Sequence, residues 1–147
     1  MASPCVHSLS RIYVPAHMHA SISAADLLLT VAEPTRLRIL NCLAAAPLFV
    51  SDLQVVLDLP QPTVSRHLQV LRRAELVADT PVAQFVLYRL RRGSDPPGRL
   101  LGAILDALAQ DERLRSERNR AGERSRSHTR IRVQTEAPAS ADRSRTR

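Results

Sequence analysis

The sequence contains no lysine and no tryptophan, and it has only two cysteines among its 147 residues. Hydrophobic residues make up 44% of the chain but aromatic residues only 3%, so a core must be built mainly from Leu, Val, Ile and Ala. Two cysteines do not make the disulfide framework of a small secreted protein. No apolar run approaches the roughly 18 residues of a membrane span, and no signal-peptide pattern is present. We therefore expect a soluble, cytoplasmic protein that does not bind membranes.

Signatures of catalysis are missing as well. The sequence has no glycine-rich phosphate loop, no paired carboxylates on a shared face, and no nucleophile with an evident base. These absences predict a chain that is not an enzyme and needs no cofactor. All 21 basic residues are arginine, which suits bidentate contacts with phosphates and guanines but also follows from a G+C-rich coding sequence. We favour the second explanation.

Charge is concentrated near the C-terminus. Residues 115–147 hold ten arginines against four acids, whereas residues 1–114 hold eleven arginines against ten acids. We therefore divide the chain into a flexible N-terminal arm (1–20), a folded domain (21–113) and an Arg-rich tail (114–147). The tail is predicted to be disordered because it lacks apolar periodicity. It could tether DNA through counterion release or have no selected role, and both readings stay open. Met18 is an alternative start of translation.

Residues 51–74 contain two short helical patterns separated by a break at Asp58-Leu59-Pro60. In the second pattern Val64, Leu68 and Leu71 fall at i, i+4 and i+7, which places them on one helix face. The opposite face carries Arg, Gln and Ser side chains. Helix, tight turn and a second helix with a polar, cationic outer face are typical of a helix-turn-helix, whose second helix enters the major groove.

The first of these two patterns has a matching apolar stripe formed by Leu53, Val56 and Leu57, and Ser51 is expected to cap its N-terminus. After the second pattern, residues 76–78 and 84–90 read as strands joined by a short polar link that contains Pro81. A helix-turn-helix followed by a β-hairpin is a winged helix. The sequence thus predicts a mainly α fold with a small β-hairpin.

Three segments carry a family resemblance: AEPTRLRIL (32–40), PQPTVSRHLQVLRRAELV (60–77) and FVLYRL (85–90). They resemble the ArsR/SmtB, or arsenic-repressor, family of bacterial winged helix-turn-helix transcription factors, over about residues 21–112. The resemblance implies a homodimeric repressor that binds a palindromic operator and leaves it when an inducer binds. It also implies a dimer through the first helix and the last helix (about 99–113), with an interface formed by Leu28, Leu101, Ile104, Leu105 and Leu108.

The helix-turn-helix supplies the candidate DNA contacts. Arg can bind guanine edges and Gln can bind adenine edges in the major groove. His67 borders the apolar face, so packing between helices is as good an interpretation as a base contact. Arg36 and Arg89 are further candidates for phosphates. We expect base reading by Gln61, Thr63, Ser65, Arg66 and His67, with Gln69 close by, and phosphate contacts by Arg72 and Arg73.

The usual sensor sites of the family do not carry over. Where members have a pattern resembling Cys-Val-Cys-Asp-Leu, this chain has Phe49-Val50-Ser51-Asp52-Leu53, without either thiol. The last helix has acids but no histidine for a zinc site. Cys42 is expected to be a buried, inert thiol. The weak metal candidates that remain are Cys5, His7, His17 and His19 in the N-terminal arm.

Two further departures affect DNA binding. Pro60 stands where the family usually has a capping serine, and the expected wing tip, residues 80–84, has no arginine. The tail arginines could compensate for the wing. An alternative function of a different class is therefore an interaction module that binds RNA or an acidic protein partner through its Arg-rich tail.

Overall fold

The computed structural model describes residues 22–135, and the side chains of residues 22–128. The predicted arm (1–20), including the weak metal candidates Cys5, His7, His17 and His19, lies outside the described residues. The elements in chain order are α1 (Ala24–Val31), α2 (Pro34–Ala45), β1 (Leu48–Phe49), α3 (Val50–Leu57), α4 (Gln61–Arg73), β2 (Val77–Val82), β3 (Phe85–Leu90), α5 (Pro96–Leu108) and α6 (Glu112–Thr135).

The first two helices begin at residues that cap them. The Ser23 hydroxyl accepts a hydrogen bond from the Asp26 backbone N–H at 3.1 Å, and Glu33 accepts from the Arg36 N–H at 2.7 Å. Pro34 occupies the first turn of α2, where its missing N–H costs nothing. A side-chain oxygen at these positions satisfies an otherwise unpaired helix N–H.

The predicted helix-turn-helix is present as α3 and α4. Its inner faces are buried as the periodicity indicated. The break is made by Asp58, which adopts a left-handed conformation (φ 53°) at the end of α3. The predicted cap of α3 was wrong: Ser51 is exposed, and Asp52 instead accepts from the Phe49 N–H at 3.1 Å. The residues buried on the inner faces are Leu53, Val56, Leu57, Val64, Leu68 and Leu71.

The hairpin belongs to a three-stranded antiparallel sheet with the order β1-β3-β2. The short strand β1 was not predicted; it pairs Leu48 with Tyr88. The predicted polar link was also wrong, because β2 continues to Val82 and Pro81 pairs with Val86. Proline is tolerated there because β2 is an edge strand. The wing tip is therefore only Ala83-Gln84.

The prediction for the C-terminal part was wrong in two respects. The last helix expected at 99–113 ends at Leu108, and residues 112–135 of the tail expected to be disordered form the 24-residue helix α6. The break between the helices is set by Asp111, whose side chain accepts from the Leu114 N–H at 3.0 Å. Helix α6 packs along α2 and α3. Among the described residues, no helix is both long and apolar enough to cross a membrane.

Helix α6 is attached by buried polar contacts rather than by an apolar stripe. Glu117, with its side chain 3% exposed, pairs with Arg38 of α2 at 2.7 Å. The Asn41 amide donates to the Leu114 carbonyl at 2.7 Å, and Ala121 is fully buried. An Arg-rich composition usually indicates disorder because buried charges are costly. Here the buried charge of α6 is paired with a residue of another element, so the helix can pack. This is why composition alone failed here.

Candidate nucleic-acid interface

The outer face of α4 is exposed and contains no acidic residue. Pro60 precedes the helix without a side-chain cap, and its carbonyl accepts from the Thr63 N–H at 3.0 Å. The Gln61 amide donates to the Ser65 hydroxyl at 2.9 Å, which holds two polar groups side by side. With the inner face of α4 fixed in the core, the other face is presented to solvent. The exposed members of the predicted DNA-contact set are Gln61, Arg66, Gln69, Arg72 and Arg73, whereas Thr63, Ser65 and His67 are half-buried.

Two of the predicted DNA contacts, His67 and Arg72, lie against acidic residues of other elements. His67 Nδ1 lies 3.4 Å from the Glu33 carboxylate, so the imidazole points toward the start of α2. Burial acts to raise the pKa of Glu33, but the hydrogen bonds from Arg36 and Thr35 and the nearby His67 together outweigh it and leave this pKa lowered. Arg72 pairs with Asp79 of β2 at 2.8 Å, although 60% of its side chain stays exposed. The position of His67 supports the packing interpretation over a base contact.

The two additional phosphate candidates differ. The Arg36 guanidinium donates to the Thr30 carbonyl and, at 3.4 Å, to that of Leu29. It therefore closes the C-terminus of α1, where a cation is favourable. Arg89 is exposed on β3. Only Arg89 of this pair is left on the surface for a phosphate.

The wing offers little charge. Its turn residue Ala83 has a left-handed conformation (φ 53°), and neighbouring Phe85 is 54% exposed. Phe85 packs edge-on against Phe49, with ring centroids 5.9 Å apart, and Phe49 packs in the same way against His128 of α6 at 5.4 Å. Phe85, beside the wing tip, is thus linked to the C-terminal helix through the aromatic ring of Phe49.

Helix α6 contacts Phe49 and Asp52, in the segment 49–53 where the family resemblance would place a thiolate sensor. Asp52 is fully buried, and its Oδ1 lies 3.0 Å from Arg124 Nε and 2.8 Å from His128 Nε2. A carboxylate that lies beside an arginine and a histidine of α6 and accepts a backbone N–H from Phe49 is well paired for a buried charge. The residue pattern could not reveal this cluster, because Asp52 lies more than 70 residues before Arg124 and His128.

The single cysteine of the described part lies in the core. Cys42 is fully buried on α2. Burial, together with the nearby Glu117 carboxylate, raises the pKa of its thiol to about 12. Within the described residues, no group of three or more His, Cys, Asp or Glu side chains is placed to hold a metal ion.

The predicted dimer residues separate into two groups. Leu101 and Leu105 are each 4% exposed and pack in the core of their own subunit, so they are not on the surface. Ile104 and Leu108 are half-buried against the same core. Leu28 of α1, in contrast, is 49% exposed, and its neighbour Leu29 is 73% exposed. An apolar surface therefore remains on α1, the helix that packs against α5.

Residues 33–79 match the family model described as "Bacterial regulatory protein, arsR family". The chain is 36% identical over 96 residues to the biofilm growth-associated repressor of Agrobacterium fabrum, covering 65% of this chain and 80% of the relative.

Solved structures agree on the fold. HlyU from Vibrio cholerae is 33% identical, with a TM-score of 0.52, and is covered completely by 63% of this chain. The transcriptional repressor BigR from Xylella fastidiosa is 28% identical, also with a TM-score of 0.52, over 60% of this chain and 85% of its own. Each of these two structures thus leaves more than a third of this chain without a counterpart.

Proposed function

The chain belongs to the arsR family of bacterial regulatory proteins, and from this membership we propose that it is a homodimeric repressor that reads an operator through α4. It is a winged-helix, DNA-binding transcriptional regulator rather than an enzyme. The proposal adds the direction of regulation, the oligomeric state and the residues that read the DNA.

The observation that carries the proposal is the exposed, acid-free face of α4. Arg66 and Gln69 point outward from a helix whose opposite face is fixed by Val64 and Leu68 in the core. A rigid helix of this kind fits the major groove, where Arg reads guanine and Gln reads adenine. We assign base reading to Gln61, Arg66 and Gln69, with Thr63 and Ser65 at the side of the groove. Arg72, Arg73 and Arg89 then contact phosphates.

The mechanism that follows is steric. Two copies joined through α1 and α5 would place two α4 helices in successive major grooves of a palindromic site, about one helical turn apart. A dimer in this position covers the promoter. A signal that changes the spacing of the two helices releases it. Phe49 and Ser51 stand where family members with a metalloid site have cysteines. The signal therefore does not act through a cysteine metalloid site in this chain.

Replacing Arg66 by Ala tests the role of α4. The variant should bind the operator about 1–3 kcal/mol more weakly and lose preference at one base pair, because a bidentate contact to a base edge is removed. The measurement is a competition titration against operators with single base changes. Arg115→Ala is the matched control, since Arg115 is an exposed arginine of α6 rather than of the recognition helix.

The outcomes separate the possible roles of Arg66. An equal loss on operator and scrambled duplex would make Arg66 a phosphate contact. Unchanged binding to every duplex would contradict the assignment of α4 as the reading helix.

A further inference from the structure

We propose that Arg113 and Arg120 of α6 contact the DNA backbone beside the helix-turn-helix, so that the C-terminal helix forms a second part of the DNA interface. The inference rests on the proposed function, because it requires a duplex against α4. It assigns a role to a helix that the family match at residues 33–79 does not include.

Helix α6 is held in one orientation. Arg38 of α2 donates to both carboxylate oxygens of Glu117, from Nε at 3.1 Å to each and from its terminal nitrogen at 2.7 Å to Oε1. A second attachment exists further along α6, where Arg124 and His128 meet buried Asp52. Bidentate, buried contacts of this kind fix geometry as well as energy.

Two guanidinium groups beside Glu117 remain available for contact with a partner. Arg113 and Arg120 lie four residues before and three residues after Glu117, so they share one side of the helix. The side chain of Arg113 is 77% exposed, and its distance of 3.6 Å to Glu117 is a weak contact with a carboxylate that already binds Arg38. Arg120 is exposed and has no ion-pair partner in the part of the chain that the structure describes.

Arg113 and Arg120 lie beside the turn of the helix-turn-helix. Arg113 and Arg120 line a cavity of about 420 Å³ together with Asp58 and Leu59, the turn of the helix-turn-helix. Leu59 precedes Gln61, the first residue of α4, by two residues, a chain length of at most about 7 Å. Arg38 also lines the cavity, so three guanidinium groups face two acids, Asp58 and Glu117. The flank of α6 next to the turn of the helix-turn-helix is therefore net positive.

DNA backbone is the partner that the surroundings favour. The wing has the uncharged tip Ala83-Gln84 and supplies no arginine there. A cationic pair at the turn provides phosphate contacts that the wing tip lacks. Phosphates of the strand that borders the groove occupied by α4 would lie next to this turn, and guanidinium groups bind phosphate bidentately.

The test compares two double variants that remove equal charge. Arg113→Ala with Arg120→Ala removes the proposed contacts, whereas Arg115→Ala with Arg126→Ala removes exposed arginines about 200–240° around the same helix, at 100° per residue. Binding to operator and scrambled duplex is titrated over a salt series. Loss of two phosphate contacts should lower the slope of log K against log salt by about 1.8 on both duplexes. The control pair should leave the slope unchanged.

A lysine variant distinguishes contact from damage to the fold. Arg113→Lys with Arg120→Lys keeps the charges and should retain the wild-type slope, and urea unfolding midpoints should agree across all the variants. Equal slope losses in the two alanine pairs would overturn the inference in favour of a general effect of net charge. No slope loss in either pair would overturn it as well, and would direct the search to an acidic protein partner. If the wild-type protein showed no operator preference, the proposed function would fail instead.

Discussion

Cys42 is the residue on which thiol-based sensing within the described part of the chain would depend. Because it is fully buried and its pKa is raised to about 12, its thiol stays protonated through the pH range in which an ordinary cysteine ionises. The thiolate is the reactive form of cysteine. Chemistry at this position therefore requires local opening of the core.

Labelling in a Cys5→Ser variant checks this, since that substitution leaves Cys42 as the single thiol of the chain. We expect maleimide to react with native protein at pH 8 no faster than the core opens, and to react at once in denaturant. The rate should not follow the ionisation of a free thiol as pH rises from 7 to 9. Rapid native labelling would contradict the buried, inert assignment.

Single residues also show what sequence reasoning can and cannot reach. The buried positions Val64, Leu68 and Leu71 follow from helical periodicity, because one face of an amphipathic helix has one environment. Asp52 does not, because its partners Arg124 and His128 come from a distant helix. Local pattern identifies what is local, and a buried ion cluster formed across the chain has no local pattern.

Among the elements, α6 is the one whose stability depends on ion pairs. Glu117→Ala removes a buried carboxylate and leaves Arg38, 19% exposed, with only its bond to the Leu57 carbonyl. Removing one partner of a buried pair usually costs about 3–5 kcal/mol. Because Arg38 keeps some solvent and one acceptor, we expect about 2–3 kcal/mol less stability in urea unfolding.

Glu123→Ala is the matched control, since Glu123 is an exposed acid on the same helix. It should change the free energy of unfolding by no more than about 0.5 kcal/mol. If the two variants were equally stable, α6 would not be held by its buried ion pair. The account of its fixed orientation would then be wrong.

Elements differ in how well the sequence predicts them. Helices α3 and α4 and the hairpin were predicted, since each shows a clear apolar period. Strand β1 was missed because two residues, Leu48 and Phe49, are too few to show a period, and they become a strand only by pairing with β3. Helix α6 was missed because its anchors are charges.

For the whole molecule, the exposed leucines of α1 predict a dimer. Leu28→Glu places a charge on the surface that we assign to the partner subunit, and burying it there would be costly. Light scattering should give twice the chain mass of 16.3 kDa for the wild type and the single mass for the variant. Val55→Glu is the control, because Val55 is similarly exposed, at 57%, but lies on α3. Identical masses for both variants would contradict an interface at α1.

Titration of the purified wild-type protein with duplex DNA decides whether this chain is an operator-specific repressor. Its own promoter region is compared with a scrambled duplex of the same composition across a salt series. We predict tight binding to an inverted repeat in the promoter, much weaker binding to the scrambled duplex, and a steep loss of affinity with salt. Equal and weak binding to both duplexes would contradict the claim and leave a winged helix whose partners are RNA or an acidic protein.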